Sequence, residues 1–178
     1  MKTHHETQRR RHQQRAALAT ALTAAVSAGV VAGSGIDPAL SEHLKRFEQA
    51  TNQFVSGNPA EWLALASRRD DATIMGAWGA YEVGWKEVGP RYDWAAARFK
   101  PSDAKLKVEY LSHAVSGDLA YTVAIERSEA LVIGQDKPRP LQLRVTHIFR
   151  KERDGWKLMH RHADPLINKT APADTFAR

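Results

Sequence analysis

Residues 141–163 read LQLRVTHIFRKERDGWKLMHRHA, two runs of Leu, Val, Ile, Thr and aromatic side chains on either side of Arg153-Asp154-Gly155. Branched and aromatic side chains suit the pleated backbone of a strand, and an Asp-Gly pair between two such runs marks a hairpin. Residues 141–151 and 156–163 are therefore predicted to be antiparallel partners. Two similar runs lie upstream at 105–115 and 119–133, set apart by Ser116-Gly117-Asp118 and followed by the turn-rich stretch 134–140. The second half of the chain thus holds four long antiparallel strands.

Before them the period changes. Pro38 follows Asp37, and Leu40, Leu44, Phe47 and Phe54 recur at helical spacing, so a first helix is expected with Asp37 as N-cap and a stop at Gly57. A short second helix should take Asn58 as cap and Pro59 at its first position, burying Trp62, Leu63 and Leu65. Ala72-Thr73-Ile74-Met75 is a short strand candidate, and residues 85–99 look helical with an interruption at Gly89-Pro90. Helices followed by a run of strands argue for an α+β fold rather than a parallel α/β one. A cone-shaped, curved antiparallel sheet wrapped around the N-terminal helices, with a pocket on its concave face, is the expected architecture.

The 178 residues carry a net charge of +6, but a net +4 of it lies in the first fifteen residues, from Lys2, Arg9, Arg10, Arg11 and Arg15 against Glu6. An uncharged stretch of Ala, Leu, Val, Thr, Ser and Gly follows, ending at Gly33-Ser34-Gly35. A basic head, an apolar middle and a small-residue exit describe a secretory signal, while Leu18, Leu22, Val26 and Val30 at every fourth position equally describe an Ala-rich helix. Residues 1–36 are read as a leader, either export signal or helical extension. Residues 37–167 are read as one domain and 168–178 as a flexible tail. Location is expected to be exported or periplasmic, with cytoplasmic as the alternative. The apolar run falls short of the ~20 residues that span a bilayer, so no stable membrane span is expected. Without the leader the chain is close to neutral, which removes the argument for nucleic acid as a partner. Cysteine is absent, which rules out disulfides, thiolate metal sites and a cysteine nucleophile.

Four stretches carry a resemblance to a known family: Asp70-Asp71-Ala72-Thr73, the run from Gly79 through Trp85, Arg144-Val145-Thr146-His147-Ile148-Phe149-Arg150, and Trp156-Lys157-Leu158-Met159-His160-Arg161-His162. Over residues 41–165 the chain resembles the SnoaL-like members of the nuclear transport factor two-like superfamily. That resemblance implies a cone-shaped α+β fold shared by ketosteroid isomerases, polyketide cyclases, scytalone dehydratase, a kinase association domain and pure binding modules. It does not select an activity. Where the isomerases carry their general-base Asp, three positions after the Thr, this chain has Gly76, and the first helix lacks the Tyr that donates to the oxyanion. Steroid isomerisation is therefore not expected.

Strand alternation says which polar side chains can meet. One face of the run 141–150 carries Leu141, Leu143, Val145, His147 and Phe149, the other Gln142, Arg144, Thr146 and Ile148. In the strand before it, Ala120, Thr122, Ala124 and Glu126 share a face. A two-residue Asp154-Gly155 turn would place His160 and His162 on the His147 face; a three-residue loop with Gly155 as the left-handed residue sets them beside Arg144 and Thr146. The second is favoured, because the resemblance to the kinase association domain includes a similar H-x-H strand. Glu126, Arg144, Thr146, His160 and His162 are then expected to line one cavity.

Glu126, His160 and His162 are the candidate catalytic groups, and Trp78, Tyr81, Trp94, Arg144 and Thr146 the candidate ligand contacts. Glu126 and Arg144 equally suit an ion pair that fixes strand register, and the aromatics equally suit a core. Two histidines at i,i+2 with one acid and no H-E-x-x-H make no metal site, and no cofactor is expected. The face from Leu141 to Phe149, with Leu131 and Ile133, is larger than the short helices are expected to cover. Since family members often pair through the sheet, a homodimer is expected. The function expected is binding of a small, largely hydrophobic ligand, or else a cofactor-free isomerase, dehydratase or cyclase acting on a carbonyl or polyketide-like substrate.

Overall fold

The computed structural model describes residues 37–103 and 105–169. The expected leader over 1–36, and all but the first two residues of the expected tail over 168–178, lie outside the described residues.

Helix α1 spans Pro38–Phe54. Its start is set by Asp37, whose Oδ1 accepts from the backbone N–H groups of Ala39 at 2.7 Å and Leu40 at 3.1 Å, and by Pro38, which has no N–H to satisfy. Leu40, Leu44, Phe47 and Ala50 form its buried stripe. The chain leaves it through Gly57 at φ +91, where an added Cβ would stand 3.0 Å from the carbonyl oxygen of Phe99. Only glycine fits both that backbone angle and that approach. Helix α2, Ala60–Leu65, follows, with Asn58 Oδ1 accepting from the Ala60 N–H at 3.1 Å. Trp62 and Leu65 are buried, whereas Leu63 is half-buried.

Strand β1, Thr73–Met75, turns into β2, Tyr81–Val83, a three-residue strand absent from the expected elements. Helix α3, Trp85–Ala96, runs unbroken through Gly89 and Pro90, where an interruption was expected. Its Val88, Tyr92 and Ala96 are buried, so packing outweighs the lost hydrogen bond at the proline.

The long strands are β3, Lys107–Ser116; β4, Leu119–Ala130; β5, Arg139–Glu152; and β6, Gly155–Pro165. With β1 and β2 they make one six-stranded sheet in the order β2-β1-β6-β5-β4-β3. Every pairing is antiparallel except β1 with β6, which is parallel and makes the sheet mixed. The α+β architecture, a curved open sheet with helices from the N-terminal half against its inner face, is the expected one.

The inner face is where the core lies. Phe149 is fully buried, Phe47 from α1 meets it edge-on at 5.4 Å between ring centroids, and Trp62 from α2 lies 4.5 Å from Phe47. Each such side chain contributes roughly 1.5–3 kcal/mol by leaving water. Leu143, Val145, His147 and Phe149 are buried on this face under the chain's own elements, while Leu131 and Leu141 are half-buried and Ile133 is exposed, so most but not all of the surface expected to need a partner subunit is covered. No helix among the described residues is long and apolar enough to cross a membrane.

Candidate functional site

Register decides which polar side chains face inward. In the β4–β5 pairing Glu126 stands opposite Leu143, Ala124 opposite Val145 and Thr122 opposite His147. Directly opposed residues of an antiparallel pair share a face, so Glu126 lies with His147, on the side away from Arg144 and Thr146.

The last hairpin has its own twist. Glu152 pairs with Gly155 across the two-residue turn Arg153-Asp154, and Phe149 pairs with Leu158. Continued unbroken, that register would pair His147 with His160. A β-bulge at Met159 shifts it by one, so that Ile148 pairs with His160, His147 with Arg161 and Thr146 with His162. His160 and His162 therefore stand beside Ile148 and Thr146, as favoured, but the bulge rather than the turn places them there.

The expected single cavity is thus divided between two faces. On the outer face His160 Nδ1 lies 2.8 Å from Thr73 Oγ1, and His162 Nε2 lies 3.2 Å from Asp164, which also lies 3.5 Å from Arg144. Arg144 has a side chain 56 % exposed, and His162 46 %. Arg144 pairs with Asp164 and not with Glu126. On the inner face Glu126 meets Arg161, which is not among the expected site residues. Arg161 Nη1 donates to Oε1 at 3.0 Å and Nη2 to Oε2 at 2.7 Å. Nη1 also reaches Nε2 of His147. A guanidinium only donates, so that nitrogen accepts and the imidazole carries its proton on Nδ1.

Burial sets the charges. Burial, followed by the nearby positive charge of Arg161, holds the His147 pKa well below its ordinary value of 6.5, and the ring is neutral. Burial works against the charge on Arg161, but the pull and the hydrogen bonds of Glu126 outweigh it. The guanidinium also lies 5.3 Å from the centroid of the Trp62 ring, which favours a cation on its face. A signal for this cluster is present in the strand itself. If His160 and His162 face out, alternation turns Arg161 inward, and a buried arginine requires a carboxylate.

Glu126 and Arg161 form the polar end of a cavity of about 90 Å³. Its walls are mostly apolar: Phe54, Trp62, Ile74, Trp78, Phe99 and Leu143 are among them. Tyr92, Ser128 and Arg91 add hydrogen-bonding groups. Burial pushes the Tyr92 phenol up to about 12, so its hydroxyl stays protonated. Ser128 is buried, and its Oγ has no hydrogen-bond partner. Gly76, at the position of the isomerase base, also lines the space.

Of the expected ligand contacts only Trp78 borders this cavity. It is 43 % exposed and packs on Phe99 at 5.3 Å and on Trp94 at 5.9 Å. Trp94 is one step removed, held between the guanidinium groups of Arg91 and Arg98, each 4.5 Å from its ring centroid. Tyr81 is 71 % exposed on β2, outside the cavity lining.

A curved sheet closed over N-terminal helices, with a mostly apolar cavity between them, defines the cone-shaped α+β class. Residues 44–167 match the model of the SnoaL-like domain, and the chain belongs to that family. Solved structures agree on the fold. A nuclear transport factor 2-like superfamily protein from Salmonella enterica serovar Typhimurium is 17 % identical, with a TM-score of 0.63, covering 77 % of this chain and 94 % of its own. A protein of the NTF2-like family from Streptomyces avermitilis is 19 % identical with a TM-score of 0.59, over 73 % of this chain and 95 % of its own. The CaMKII hub of S. rosetta is 19 % identical with a TM-score of 0.53, over 75 % of this chain and 99 % of its own. No curated protein matches the chain.

Proposed function

We propose that the protein is a binding module whose cavity holds a small, largely apolar molecule with one hydrogen-bonding end. The observation that carries this reading is the bidentate Arg161–Glu126 pair. Both carboxylate oxygens are engaged, so the one acid that lines the cavity among the described residues is committed to its arginine and not free to abstract a proton. Phe54, Trp62, Trp78 and Phe99 supply apolar contact, while Ser128 and Tyr92 are placed to orient a polar end. At about 90 Å³ the space suits a few heavy atoms, and a larger ligand has to displace Trp78 at the edge.

The enzyme alternative, a cofactor-free isomerase, dehydratase or cyclase, needs a free base on the cavity. Gly76 stands where the isomerases carry theirs, His160 and His162 face outward, and the His147 Nε2 is occupied by Arg161. These placements count against it. Native mass spectrometry of gently purified protein, followed by titration of the released compound against tryptophan fluorescence, tests the binding reading. A stoichiometric small molecule whose affinity falls in Trp78→Ala and Ser128→Ala is the expected result. Turnover of that molecule by wild type, abolished in Glu126→Gln, would overturn it.

We further propose that the chain self-associates through the outer sheet face. Leu119 and Tyr121 are 48 % and 40 % exposed there, beside half-buried Val123, Ile125 and Ile148. Sedimentation velocity of wild type and Tyr121→Glu tests this, with a monomeric wild type counting against it. The leader supports a proposal of export, which N-terminal sequencing of the mature protein tests.

A further inference from the structure

A second concavity, of about 520 Å³, lies between α1 and the β5–β6 turn, away from the cavity under Trp78. We propose that it is a binding site for a phosphate group. Its walls include His43 and Trp156, which are only 7 % and 5 % exposed. Each carries a buried ring nitrogen, His43 Nε2 and Trp156 Nε1, with no hydrogen-bond partner. An indole N–H can only donate, and a neutral imidazole can donate from Nε2, so two residues that line the groove hold buried donors that lack an acceptor.

The rim supplies charge of the matching sign. Arg46 and Lys151 border the groove, both are exposed, and neither forms an ion pair among the described residues. Lys157 donates to the Ala64 carbonyl at 2.8 Å and pairs with Asp154 at 2.9 Å, which neutralises that acid. Glu42, the other acid on the groove, lies 3.7 Å from Lys45. Two uncommitted cations therefore line the same groove as the two residues whose donors lack an acceptor. A phosphate group has enough acceptor oxygens to engage all four, and guanidinium–phosphate contacts are among the strongest available.

His43 reports on occupancy. Burial, with Arg46 and Lys157 adding to it, lowers its pKa from 6.5 to about 4. The charged groups around the groove are Arg46, Lys151 and Lys157 on one side of the balance, and Glu42 and Asp154 on the other. A bound dianion reverses that balance and raises the pKa of His43.

The test is an NMR titration of ¹⁵N-labelled protein with inorganic phosphate at constant ionic strength, reading the Trp156 indole N–H, assigned through Trp156→Phe, and the His43 ring. A saturable indole shift and an upward move of the His43 titration are expected. Arg46→Ala and Lys151→Ala, both at exposed positions where folding is retained, should each weaken binding about tenfold. A parallel titration with methyl phosphate distinguishes a phosphate ester, which binds as well as the free ion, from inorganic phosphate alone. Non-saturating shifts, equal shifts with chloride, or affinities unchanged in both variants would overturn the proposal. So would tighter binding of acetate than of phosphate.

Discussion

Replacing Arg161 by Met tests the central feature of the inner face. The substitution keeps most of the aliphatic volume and removes the guanidinium, leaving the Glu126 carboxylate 5 % exposed with no cation beside it. Two charge-assisted hydrogen bonds, at 3.0 and 2.7 Å, are lost together with the bond to His147. Breaking a buried ion pair from one side costs about 3–5 kcal/mol, because the surviving charge stays desolvated. For a domain whose whole stability is ~5–15 kcal/mol, that brings the protein close to unfolding. Glu126→Gln should cost somewhat less, since the amide oxygen still accepts one of the two bonds. Combining Arg161→Met with Glu126→Leu removes both charges, and should recover at least about 2 kcal/mol relative to the sum of the single changes. Urea denaturation at pH 7.5, followed by tryptophan fluorescence and extrapolated linearly to water, measures each corner of the cycle. Two single variants that each lose less than about 1 kcal/mol, with additive effects, would refute the reasoning. Glu126 would then be a lightly held carboxylate, and the enzyme reading would regain its base.

Three further predictions concern other buried or conformationally constrained positions. Thr122 is fully buried opposite His147 with an unpartnered hydroxyl, so Thr122→Val, which keeps the shape, should raise stability by about 1 kcal/mol; a loss of that size in urea would show the hydroxyl to be bonded. Both His43 and His147 have folded pKa values below the ordinary 6.5, so the unfolded chain takes up protons first as the pH falls. Their contribution to stability is unaffected well above pH 6.5 and declines below it, at up to about 1.4 kcal/mol per pH unit for each histidine. The urea midpoint should drop steadily between about pH 6.5 and 4, less steeply in His43→Leu; a flat profile would contradict both burial assignments. Gly57→Ala should destabilise by more than about 1 kcal/mol, because the new Cβ meets the Phe99 carbonyl at φ +91, and unchanged thermal stability would refute that geometry.

Elements whose limits are set by local chemistry were legible in the sequence. Asp37, Pro38 and Gly57 bracket α1 by capping, ring constraint and left-handed backbone, none of which depends on distant residues. The four long strands follow from side-chain type and from the turns between them. What distant partners decide was not legible. Strand β2 is three residues long and is a strand only because β1 lies beside it. Pro90 fails to end α3 because Val88, Tyr92 and Ala96 are packed on its buried side.

The candidate site divided for the same reason, and one residue shows how. Alternation correctly groups Glu126 with Ala120, Thr122 and Ala124, and His147 with Val145 and Phe149, because each group lies within one strand. Whether the two groups face each other depends on the β4–β5 register, and the loop of eight residues between those strands leaves the register open. The final hairpin is worse, since its tight turn specifies a register that Met159 then shifts by one. Without that bulge His160 and His162 would enter the core and Arg161 would face water. Glu126 would be buried without a cation. With the bulge, the arginine reaches the acid and the two histidines reach Thr73 and Asp164. The bulge thus satisfies the one buried charge that the inner face cannot leave unpaired, and it does so by moving two apparent catalytic residues to the outside of the sheet.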